Sequence, residues 1–202
     1  YKVYTFLAAT ALLATACQNS KKDDQVISQV YIHKYGYAVS QKEWEDKNYP
    51  GQVISTLRDG STVTSTYEDG ELNGPCSYTY PNSQTIERYV FYKQGEPVKE
   101  ILYDMAGMPI QETVQVSASQ SSLTTWYADG VPRSIEEFSG DQLVLGKYFT
   151  PDNELETRVE NGEGLRILRD ASGVLTCKDI IEYGLLAKRE SFYPNGSPES
   201  IT

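Results

Sequence analysis

From Gln52 onward apolar and polar residues alternate in short stretches, and a turn signal breaks the alternation about every 10–13 residues. Signals fall at Asp59-Gly60, Asp69-Gly70, Pro81-Asn82-Ser83, Gln94-Gly95, Ala106-Gly107 and Asp129-Gly130. They continue at Ser139-Gly140-Asp141, Asp152-Asn153, Asn161-Gly162, Ala171-Ser172-Gly173, Tyr183-Gly184 and Asn195-Gly196. Asp-Gly and Asn-Gly suit two successive residues at positive φ, which is what a tight hairpin requires. No helical period of useful length lies between the turns. The pattern predicts an all-β chain, an elongated meandering antiparallel sheet.

The stretches also repeat. Phe91-Tyr92-Lys93-Gln94-Gly95-Glu96-Pro97, Trp126-Tyr127-Ala128-Asp129-Gly130-Val131-Pro132 and Phe192-Tyr193-Pro194-Asn195-Gly196 share one plan. An aromatic strand end runs into a turn, and a polar strand leaves it. Alternate turns look alike, so the repeat is a hairpin of about 20–23 residues. Residues 115–122 hold no Gly or Pro, and are expected to form a longer, mobile hairpin loop.

Residues 26–52 do not follow the repeat. Val26 to Tyr37 reads as a strand or two around a turn. Ser40-Gln41-Lys42-Glu43 has capping-box spacing, and Trp44 to Lys47 completes a short helix. An open sheet edge recruits other strands, so this segment is expected to cap the array over 53–202.

The N-terminus has another character. An apolar run, Thr5 to Leu13, is too short to span a bilayer and ends at Ala14-Thr15-Ala16-Cys17. This stretch resembles the lipobox of bacterial lipoproteins. The resemblance implies removal of residues 1–16, acylation of Cys17, and a place in the bacterial cell envelope anchored to the lipid bilayer. Gln18 in place of Asp resembles lipoproteins sorted to an outer membrane, facing the periplasm or the surface. Two or three acyl chains hold a membrane stably where one does not. Residues 17–25 then form the lipidated Cys and a polar tether.

Charge narrows the partners. The 202 residues carry 28 carboxylates against 18 Lys plus Arg, a net charge of −10. No basic run exists beyond Lys21-Lys22 to neutralise phosphates, which argues against a nucleic-acid partner. A basic or neutral protein or envelope component is favoured.

Little points to catalysis, and no cofactor or metal is expected. His33 is the lone histidine. No Gly-x-Ser-x-Gly elbow, phosphate loop or paired metal-ligand motif is present. Glu136-Glu137 and the carboxylates of Asp152, Glu154 and Glu156 read as a solvated face. The spacing at 152–156 lacks the turn glycine and distal Glu of a calcium loop. Cys76 and Cys177 lie about nine turns apart, roughly 40 Å in an open array, and are expected as free thiols. The candidate binding residues are aromatic: Tyr78, Tyr80, Tyr92, Tyr103, Trp126, Tyr127, Tyr148 and Tyr193. They are expected to form a cross-strand ladder, part of it exposed to a partner.

Tyr67-Glu68-Asp69-Gly70-Glu71-Leu72-Asn73-Gly74 and Phe192-Tyr193-Pro194-Asn195-Gly196 together resemble the MORN-variant repeats of bacterial YwqK-type antitoxin-like proteins. The likeness covers roughly residues 53–200; the copy around Ser139-Gly140 is degenerate. It implies binding more than chemistry, and no catalytic residues. The function expected is a non-catalytic binding or scaffold module on a lipoprotein anchor. The alternative is an antitoxin or immunity-like protein that occludes a toxin.

Overall fold

The computed structural model describes residues 25–202. The leader expected over 1–16, Cys17 and the tether up to Asp24 lie outside the described residues. The rest is one open antiparallel sheet of 16 strands, joined almost throughout by hairpins between sequence neighbours.

The N-terminal segment, expected as a cap, comes first: β1 (Val26–His33), β2 (Ala38–Val39) and α1 (Gln41–Lys47). β1 lies between β2 and β3 (Gly51–Leu57). Ser40 starts α1 as expected: its Oγ accepts from the Glu43 N–H at 3.3 Å, and the Ser40 N–H donates to Glu43 Oε2 at 3.4 Å. Asn48 ends it in the left-handed region, at φ 47. Trp44 is the helix's buried residue and presses on the rings of Tyr31 and Tyr67 at 5.6 and 6.0 Å.

The array continues through β4 (Thr62–Glu68), β5 (Glu71–Thr79), β6 (Ile86–Lys93), β7 (Glu96–Tyr103), β8 (Pro109–Gln115) and β9 (Gln120–Trp126). Then follow β10 (Pro132–Ser139), β11 (Gln142–Phe149), β12 (Leu155–Glu160) and β13 (Glu163–Arg169). β14 (Leu175–Glu182), β15 (Leu185–Phe192) and β16 (Pro198–Ile201) close the sequence of strands.

The two margins of the sheet use different turns. On one margin four of the turns are two-residue reversals with both residues at positive φ: Asp69-Gly70, Gln94-Gly95, Asn161-Gly162 and Tyr183-Gly184. On the other, five-residue turns repeat one bonding scheme. The first residue's N–H donates to the carbonyl four residues on, as in Asp104 to Met108 at 2.9 Å and Tyr127 to Val131 at 2.9 Å. An Asp or Asn side chain then takes the free turn N–H groups; Asp170 Oδ1 accepts from both Ser172 and Val174. This alternation of turn types produces the two-strand repeat.

One expectation fails here. Residues 115–122 are not a long mobile loop: Gln115 ends β8, Gln120 begins β9, and Gln115 pairs with Ser121. Four residues make the turn, with the Val116 N–H donating to the Gln120 carbonyl at 2.8 Å. None of the four lies at positive φ, so no glycine is needed.

The sheet also coils. Adjacent strands sit about 4.8 Å apart, so alternate turns of a flat sheet would be separated by nearly 10 Å. Yet the Gly184 N–H donates to the Gly162 carbonyl at 2.8 Å, and the Gly140 N–H to the Ser119 carbonyl at 2.7 Å. A Cβ on Gly162 would come within 2.7 Å of the Gly184 nitrogen, so glycine there permits the close stacking. β12 and β13 share only two paired positions, and the sheet is creased there. The buried core lies around this crease: Leu143, Tyr148, Val159, Ile167 and Ile181.

Candidate binding surface

The eight aromatic candidates do not form one exposed ladder. Tyr148 and Tyr127 are 1% and 3% exposed, which corrects the expectation that they could meet a partner. Tyr127 sits just past β9, and its hydroxyl donates to the Phe149 carbonyl at 2.6 Å. Tyr80, just past β5, does the same to the Tyr103 carbonyl at 2.7 Å. Each tyrosine thus ties its turn to the strand end one repeat later. Burial, rather than contact with a partner, pushes both phenols above the ordinary range.

Tyr78 is half-buried in β5 under the Arg88 guanidinium, 4.9 Å from the ring centre. Arg88 is in turn paired with Glu100 on β7. Tyr92, Tyr103 and Trp126 are half-buried near the strand ends, the last two opposite Pro109 and Pro132. Tyr193 alone of the eight is exposed, at 48%.

Aromatic packing gathers instead at the cap. His33 is buried, stacked on Tyr37 at 4.6 Å and met edge-on by Tyr49 at 4.9 Å. Its Nδ1 accepts from the Tyr35 N–H at 3.3 Å. The lone histidine is a packing residue.

A buried ionic brace was missed by sequence reasoning. Glu136 on β10 and Asp179 on β14 are 1% and 0% exposed, which corrects the reading of Glu136 as part of a solvated face. Glu137 beside it is exposed, as a strand's alternation requires. Glu136 Oε1 accepts from Arg166 Nε at 2.7 Å and from the Tyr148 hydroxyl at 2.8 Å, and Oε2 accepts from Arg166 Nη2 at 3.1 Å. Asp179 is clamped by two nitrogens of Arg189, both at 2.7 Å. A flat sheet would put β10 and β13 about 14 Å apart, so the Arg166–Glu136 contact exists only because the sheet curls. The signal present in the sequence was the shared face of Ser134 and Glu136; nothing local shows that Arg166 would reach them.

Glu156 is also paired, in a two-pronged contact with Arg169 at 2.7 and 3.1 Å. Cys76 and Cys177 are free, on β5 and β14. A hollow of about 430 Å³ lies beside the N-terminal segment among Gln52, Thr66, Glu68 and Asn73.

No family model matches the chain, and no curated protein matches it. Among solved structures, a TarM mutant of S. aureus in complex with fondaparinux, alpha-GlcNAc-glycerol and UDP is 14% identical, with a TM-score of 0.25. The match covers 50% of this chain and 19% of that one. A second TarM structure is 14% identical with a TM-score of 0.26, covering 55% of this chain and 21% of its own. This chain thus spans about a fifth of the TarM chains it matches. Overlaps at these TM-scores transfer neither fold nor activity.

Proposed function

We propose that the chain is a lipid-anchored bacterial envelope protein whose MORN-like repeat sheet serves as a non-catalytic binding or scaffold module. The observation that carries this reading is the use made of its buried carboxylates. Glu136 and Asp179 are each engaged by arginine, so neither carboxylate stands free for the acid–base work on a glycan that a glycosidase performs. What such a sheet offers is length: 16 antiparallel strands in a chain of net charge −10. The lipobox-like stretch ending at Cys17 supports tethering of that sheet to a bilayer.

The test is metabolic labelling with a fatty-acid analogue, wild type against Cys17→Ala, with protease added to intact cells. Label lost in the variant, on a protein clipped from outside, supports surface display. Label with protection from protease supports a periplasmic face. An unlabelled, uncut protein refutes the anchor. The net charge of −10 favours a second reading, occlusion of a basic protein such as a toxin. Retention of a basic partner, released by salt, would support it.

A further inference from the structure

In the crease, residues of β9, β10 and β13 line a small half-open hollow of about 80 Å³. Three of the chain's seven arginines line it: Arg133, Arg166 and Arg169. In a chain of net charge −10 this concentration of guanidinium groups is unusual, and the pairing around it leaves one of them over.

Arg166 is consumed by Glu136, with Asp179 3.7 Å from its third nitrogen. Arg169 spends Nε and Nη2 on Glu156 and Nη1 on the Gly173 carbonyl. Arg189, just outside, is taken by Asp179. Four guanidinium groups thus face three carboxylates. Arg133 has no carboxylate partner among the described residues; its Nε donates to Thr125 Oγ1 at 3.1 Å, which leaves both Nη groups unspent.

The hydroxyl beneath it completes the site. Thr125 and Ser134 are 8% and 6% exposed, and their oxygens are 2.7 Å apart. Two hydroxyls share one hydrogen in that contact, so the other remains to donate elsewhere. The pocket therefore keeps three donors open: two guanidinium nitrogens and one hydroxyl. The acceptors in its wall, the Glu136 oxygens, are already engaged by Arg166 and Tyr148. A hollow of this size, with donors left over and one guanidinium lacking a carboxylate, suits a tetrahedral oxyanion held by a guanidinium fork.

The geometry points to an oxyanion site of phosphate size in the crease, built on Arg133, Thr125 and Ser134 and bounded by the Arg166 and Arg169 pairs. Its ligand is inorganic phosphate or a phosphoryl group borne on a small ester. The site does not depend on how the chain is anchored or on which protein it binds.

Calorimetric titration of the whole folded protein with inorganic phosphate, at constant ionic strength, tests it. Wild type should show saturable binding. Arg133→Gln should weaken it about tenfold or more, the scale of one charge-assisted hydrogen bond. Glycerol 3-phosphate forms the second arm: binding of both ligands means the mouth admits an ester, and binding of phosphate alone means a closed site. Equal affinity in wild type and Arg133→Gln would place any bound phosphate elsewhere and overturn the proposal. Should Arg133→Gln fail to fold, the ³¹P line width of phosphate with wild type decides. Saturable broadening relieved by Arg133→Lys, which keeps the charge but loses the fork, supports the site, and unbroadened phosphate overturns it.

Discussion

Glu136 is held at 1% exposure by Arg166 and Tyr148, and removing it strands the Arg166 guanidinium in the crease. Breaking one side of a buried pair typically costs about 3–5 kcal/mol, whereas replacing both sides with apolar groups costs far less. Glu136→Ala should therefore lower the urea midpoint sharply, and Arg166→Met should add little in a Glu136→Leu background. Additive losses would contradict the coupling. Tyr148 gives this brace a pH dependence. Its phenol is pushed above the ordinary range, first by burial and then by the Glu136 carboxylate, and Tyr78 is raised first by burial and then by Cys76. Both keep the proton in the folded chain beyond about pH 10, where an unfolded tyrosine gives it up. The folded state then binds more protons, so this stabilisation is complete below about pH 10 and is lost as the pH rises past it. Urea midpoints between about pH 8 and pH 11.5 should fall above pH 10 in wild type, and less steeply in Tyr148→Phe. A flat alkaline profile would reject the argument. None of this was legible at single positions. Alternation places Glu136 on the inner face with Ser134, but the carboxylate's partner lies 30 residues away, beyond any local pattern.

At the scale of hairpins, the turns test what glycine contributes. Gly107 and Gly162 both have positive φ, 82° and 79°. A Cβ on Gly107 would meet nothing within 4 Å, while one on Gly162 would meet the Gly184 nitrogen and break the turn-to-turn bond. Gly107→Ala should cost about 1–2 kcal/mol, the left-handed penalty alone. Gly162→Ala should exceed that by about 1 kcal/mol or more, from the lost hydrogen bond and the displaced neighbouring turn. Equal costs, measured by equilibrium unfolding, would mean that turn stacking adds nothing. The contrast also explains what the sequence disclosed. Turns that need positive φ advertise themselves with Gly or Asn, so twelve of the thirteen turns after β3 could be read directly. The turn at 116–119 needs no such residue, and its Ser-rich composition looked like a mobile loop. The start of α1 was readable too, because Ser40 and Glu43 form a capping box from two residues at a fixed spacing.

Across the whole molecule, contact is local along one axis except where the sheet curls. Alternation along a strand states which side chains share a face, but it does not state how far successive strands twist. That is why an open array was legible and the crease was not. The aromatic candidates were misjudged for the same reason: strand ends that look exposed in a flat array become the seams between turns, as at Tyr80 and Tyr127. Stability in such an array is a sum over neighbours, so damage should stay near its source. The buried cluster around β11 to β14 is remote from the Trp44 cluster that anchors the cap, and the four residues of β16 are all exposed. Amide exchange should accordingly be fastest in β16 and slowest in β11, β13 and β14. Glu136→Ala should speed exchange in β10 to β15 by cutting the brace that ties β10 to β13, while β3 to β6 keep their protection. If the variant instead lost protection evenly from β3 to β15, the sheet would be one cooperative unit, and its curvature would be set by the strands themselves rather than by the ionic brace.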